Sequence, residues 1–103
     1  MIILEKQIID YLDSLIYKLF EAEYFGFVES SENYVNNIID FIFDNMYTFP
    51  HQQAPKQLRS FGSNYIFYKT NQRTTWYIFF ETNGTDYFIT NIINNNCEEA
   101  KWL

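Results

Sequence analysis

Residues 73–84 read RTTWYIFFETNG, and their pattern constrains how the rest of the chain must pack. Its centre, Trp76 to Thr82, is dense in aromatic residues and predicts a strand. Side chains alternate across a strand, so Trp76, Ile78 and Phe80 share one face while Tyr77 and Phe79 share the other. A sheet with one wet face carries polar residues at every second position. Here both faces are apolar, so each needs a cover. The stretch ends in Asn83-Gly84, two residues that tolerate positive φ and together form a strong hairpin signal.

Working outward, a second strand is expected near 64–69, joined through TNQR, and a third near 85–93. The three form an antiparallel meander with 74–82 in the middle. Upstream, HQQAPKQLRSFGSN (51–64) is polar, contains a proline and a glycine, and reads as a loop. Before it lie two helices. Leu4, Ile8, Leu12, Leu15 and Leu19 recur at near-helical spacing over about 4–22, with Asp10, Asp13 and Lys18 opposite. Val35, Ile38, Ile39, Ile42, Phe43 and Met46 do the same over about 31–47, after a cap at Ser30 or Ser31 and before Phe49-Pro50. The initial MIIL fits either a first helical turn or a short edge strand. EYFGFVESSE breaks the period between the helices, and its Phe25 and Phe27 are expected to plug the end of the pair. The fold class is therefore α+β: an N-terminal helix hairpin packed on a C-terminal antiparallel meander, in one domain spanning 1–103.

Of the 103 residues, 48% are hydrophobic and 21% aromatic, ample for a core. No apolar run has the roughly 18–20 residues of a membrane span, and MIILEKQIID lacks a basic region ahead of its apolar residues, so neither membrane insertion nor a signal peptide is expected. A lone Cys97 excludes an internal disulfide and a cysteine-rich zinc site, which fits a cytoplasmic protein. The net charge of −6 is uneven: residues 1–50 hold nine acids against two lysines, whereas no acid occurs between Asp44 and Glu81. Lys56, Arg59, Lys69 and Arg73 all fall in that acid-free span, which suits an acidic partner or merely reflects loops that tolerate cations.

The helix pair ending near a proline, the loop containing LRSFG, and the run NYIFYKTNQRTTWYIFFETNGTDYFITNI (64–92) together resemble the RelE/ParE toxin superfamily over nearly the whole chain. The resemblance implies an N-terminal strand, two helices and a curved antiparallel sheet. It also implies a toxin held inactive by a cognate antitoxin, with metal-independent mRNA cleavage at the ribosome in one branch and poisoning of DNA gyrase in the other. Arg59, Lys69 and Arg73 stand near the family's basic positions and would bind phosphate. Lys69, Arg73 and Tyr87 are the candidates for any chemistry. The chain departs from the family in having Thr75-Trp76 within the middle strand, Asn94-Asn95-Asn96 and Glu98-Glu99 after the last one, and an acidic balance. These departures leave ribosome, mRNA and gyrase poorly served as partners. The alternative is a non-catalytic interaction module that kept the toxin fold.

No cofactor or metal site is expected, since no Gly-rich phosphate loop and no metal-spaced His/Asp/Glu set occurs. His51 reads as an exposed loop residue, Cys97 as an inert thiol, and the Asn run as turn-forming. For the second sheet face, which holds Tyr77 and Phe79 and, depending on register, Tyr65, Phe67, Tyr87 and Ile89, the expected cover is the C-terminal EEAKWL with Trp102 and Leu103 as a lid. A protein partner, either antitoxin or a second copy, and stacked RNA bases are the alternatives.

Overall fold

The computed structural model describes residues 1–21 and 28–103. Phe25, Phe27 and the expected end of the first helix at Ala22 lie outside the described residues. The elements run β1 (Ile2–Leu4), α1 (Lys6–Glu21), α2 (Val28–Asn45), β2 (Gln52–Gln53), β3 (Asn64–Lys69), β4 (Thr75–Asn83) and β5 (Asp86–Asn94). Two short 3-10 turns, Lys56–Leu58 and Glu98–Trp102, precede β3 and follow β5. Among the described residues no helix is long and apolar enough to cross a membrane.

The meander is present with β4 inside it, flanked antiparallel by β3 and β5. The sheet is wider than the three strands expected, with order β1-β5-β4-β3-β2. MIIL resolves as an edge strand: β1 runs parallel to β5, Ile2 opposite Tyr87 and Leu4 opposite Ile89. At the other edge, Gln52 and Gln53 pair with Tyr65 and Asn64, in what the sequence marked as loop. The hairpin loop is Gly84-Thr85, closed by the Asn83–Asp86 pair, one position later than expected. Gly84 takes the positive φ, at 63°. Ser30 and Ser31 lie inside α2 rather than capping it.

The alternation read in β4 holds. Trp76, Ile78 and Phe80 face the helices, where they meet Ile8, Leu12 and Leu15 of α1 and Ile38 and Ile42 of α2 in one cluster. Each is at most 6% exposed. Burial of this kind is the main favourable term in a small domain, at roughly 1.5–3 kcal/mol per large apolar side chain. Phe79 pairs with Asn91 but Phe80 with Ile89, so Thr90 is an extra residue in β5. Such a bulge bends the strand and re-aims its side chains. Here the Thr90 hydroxyl donates to the carbonyl of Phe61, tying β5 to the segment that crosses the sheet's second face.

Candidate functional site

That second face is where the aromatic pattern of β4 demanded a cover, and the chain supplies most of one. Phe79 and Ile93 are buried with Ala54 and Leu58, and Phe61, Cys97 and Leu103 pack around them. The Phe61 ring meets Phe79 edge-on at 5.7 Å. Gly62 follows directly above β4: a Cβ there would stand 2.9 Å from the Phe79 Cβ and 2.7 Å from the Thr90 Oγ1. Two expectations are corrected. Phe79 is 0% exposed and so is no partner surface, because the 54–62 segment closes over it. Trp102 is no lid either, since it is 47% exposed. It carries the Lys101 ammonium 5.4 Å from its ring, and the tail's packing contribution comes from Leu103 and Cys97.

The cover stops short of the outer end of β3. Tyr65, Phe67 and Tyr77 form an aromatic shelf there; Phe67 lies opposite Tyr77 in the sheet, and Tyr65 and Tyr77 are 5.9 Å apart edge to face. Phe67 is 38% exposed, and Tyr65 and Tyr77 are half-buried. Partial burial, and secondarily the neighbouring Tyr77, raises the pKa of the Tyr65 phenol. β2 pairs with only the first two residues of β3, so no described strand pairs with the outer side of residues 66–69. The Phe49 ring leans across this edge, 5.4 Å from Phe41 and 5.3 Å from Phe67. Lys69 ends the strand, exposed. Arg73, also exposed, sits in the β3–β4 turn, where its N–H donates to Asn71 Oδ1 and its carbonyl accepts from Asn95 Nδ2.

The structure brings Lys69 and Arg73 to one end of the sheet and leaves the other candidates elsewhere. Arg59 closes the first 3-10 turn, in the segment over the second face. Tyr87 pairs with Thr82 whereas Lys69 pairs with Thr75. Seven residues of β4 separate those positions, roughly 23 Å of strand. Tyr87 also points to the helix side, between Phe80, Tyr47 and His51. With Ile89 it is thereby corrected from the second face to the helix side, because the bulge at Thr90 shifts the register of β5. The trio proposed for chemistry is therefore not assembled. His51 is engaged structurally, its Nε2 donating to the Met46 carbonyl at 2.7 Å. That bond fixes the protonated nitrogen.

Two clefts flank the core. One, of about 300 Å³, is lined by Leu19, Tyr34, Trp76 and the amides of Asn71, Asn94 and Asn96. At its floor the Trp76 indole N–H donates to the Tyr34 hydroxyl at 2.8 Å, and that hydroxyl meets Thr70 Oγ1 at 2.9 Å. Asn94 forms a turn as expected, its Oδ1 accepting from the Asn96 N–H, whereas Asn95 reaches across to β4, its Oδ1 accepting from the Thr75 N–H. The second cleft, about 410 Å³, lies beside β5 past the end of β1, between Gln7 and Tyr11 of α1 and Phe61, Cys97 and Glu99. Burial, with Cys97 adding to it, pushes the Tyr11 phenol up to about 12. Among the described residues no group of His, Cys, Asp or Glu could hold a metal ion.

Compared with known proteins, the chain matches no family model, no curated protein and no solved structure. The meander left 64–69 as an edge strand; the feature that sequence reasoning missed was its partial cover by β2, two residues too few to show an alternating pattern within HQQA.

Proposed function

We propose that the chain acts by holding a protein partner along β3, as an interaction module rather than through catalysis. The carrying observation is the outer side of residues 66–69, with which no described strand pairs, beside the aromatic shelf. A sheet edge recognises an extended segment through main-chain hydrogen bonds, and side-chain surfaces beside it add selectivity. Aromatic residues on such a shelf supply contact area with little rotamer entropy to lose, and Lys69 and Arg73 at its end favour a segment carrying acids.

In the toxin–antitoxin setting that the resemblance implies, the docked segment belongs to a cognate antitoxin. Support for that reading is the order of elements, a short strand and two helices ahead of the meander. A ribonuclease built on Lys69, Arg73 and Tyr87 has no support from the geometry, since general acid–base chemistry needs its groups within hydrogen-bond reach of one substrate. The test is induced expression in a bacterium together with hydrogen exchange on the chain bound to the partner recovered from its own host. We expect intact mRNA, and slowed exchange of amides within 66–69 that is lost in Phe67→Asp. Cleaved mRNA, or protection confined to other elements, overturns the proposal.

A further inference from the structure

A different surface, on the opposite layer, carries a second binding reading that does not depend on the first. Ile8, Leu12 and Leu15 define the core side of α1. Gln7 and Tyr11 lie on one flank of that side and line the cleft beside β5. Ile9 and Ile16, two helical turns apart, therefore lie on the other flank, facing α2. On α2, Phe41 stacks on Tyr68 of β3 at 4.6 Å, which marks the flank that faces away from α1. Ile39 and Phe43 occupy the opposite flank. The two apolar rows thus meet along the outer seam of the helix hairpin. Ile16 and Ile39 are half-buried against the core, but Ile9 is 45% exposed, and Phe43, expected in the buried stripe of α2, is 47% exposed because it sits at the far margin of that stripe.

Acids border the seam. Asp13 stands one turn after Ile9 and Asp40 one turn before Phe43; both are exposed, and neither has an ion pair among the described residues, whereas Asp10 is held by Lys6 at 2.9 Å. The layer as a whole is strongly anionic, with nine acids against two lysines in residues 1–50. We infer that this seam is a docking groove for a basic amphipathic helix of another protein. A groove between two antiparallel helices accepts the ridge of a third, whose apolar stripe would sit on Ile9, Ile16, Ile39 and Phe43 while its lysines and arginines meet Asp13 and Asp40. A second copy fits badly, since it would set acid against acid.

The probe is a labelled Lys/Leu amphipathic peptide of about four helical turns, tested with the full chain by fluorescence anisotropy. Its controls are a peptide of the same composition with the Leu stripe scrambled and a Glu/Leu counterpart. We expect the amphipathic basic peptide to bind at least about tenfold more tightly than either control, and to lose about tenfold in affinity in Phe43→Ser and in Asp13→Lys/Asp40→Lys. Ile9→Ser serves as a second apolar variant, and circular dichroism checks that each variant is folded. Equal binding of the scrambled peptide, affinity untouched by the apolar variants, or self-association that Phe43→Ser abolishes would each overturn the assignment. None of these outcomes bears on β3.

Discussion

Gly62 is the residue whose smallness the second face depends on. With Thr90 Oγ1, the Phe79 Cβ and the Phe80 nitrogen all within 2.9 Å of where its Cβ would stand, an added methyl must push the 54–62 segment off β4. Overpacking of this kind costs about 1–3 kcal/mol, so Gly62→Ala should lower the urea midpoint markedly. Phe67→Ala, at an exposed position, should leave it nearly unchanged. Tyr11 gives the second expectation. Its folded pKa of about 12 exceeds the usual 10, so the phenol is neutral in both states below pH 10. Between 10 and 12 the unfolded chain gives up the proton first, and stability falls as pH rises through that window. Stability measured against pH for Tyr11→Phe should lack that component of the alkaline loss; an identical alkaline slope would show that Tyr11 is not the group responsible.

At the scale of elements, the two halves of the second-face cover are unequal. Leu58 is 2% exposed inside the cluster, so Leu58→Ala should cost about 2–5 kcal/mol. Trp102→Ala, at the surface of the tail, should stay within about 0.5 kcal/mol. Thermal melting of the two variants checks the contrast; equal losses would restore Trp102 as a lid. The same segment shows what the sequence made legible. β4 declared its own two faces through Trp76, Ile78 and Phe80 against Tyr77 and Phe79, and Asn83-Gly84 marked the hairpin to within one residue. The helices announced themselves through a repeat sustained over several turns. The cover did not, because Ala54, Leu58 and Phe61 follow neither period and are recruited only by what lies beneath them. β1 was ambiguous because three residues hold too little pattern to separate a strand from a helical turn. Lys69 and Arg73 flank one turn, whereas Arg59, grouped with them from the same acid-free span, lies in the segment over the second face. Tyr87 was not excluded, since its distance depends on strand register rather than on composition.

Across the whole molecule, the uneven charge of the sequence becomes a difference between layers. The helices carry most of the acids, and the Asp44–Glu81 span that lacks them forms β2, β3, the start of β4 and the segment over the second face. Like charges crowded on one layer repel, and salt screens that repulsion over about 10 Å at 0.1 M. The melting temperature should therefore rise as sodium chloride is added at neutral pH. Asp13→Asn and Asp40→Asn should each raise it in low salt and flatten the salt dependence. A melting temperature that falls with salt would mean that surface ion pairs, such as Lys6–Asp10, outweigh the repulsion.

The parallel pairing of β1 with β5 joins residues 85 positions apart, Ile2 to Tyr87. Such a contact cannot form until the closing hairpin of the sheet exists, so it belongs to the end of the folding reaction rather than to its nucleus. During synthesis, β1 must wait unpaired until β5 has been made. Weakening β1, as in Leu4→Ala, should speed unfolding while leaving the refolding rate almost untouched in stopped-flow measurements. A strand made well before its partner would be the last to find its place and the first to leave it.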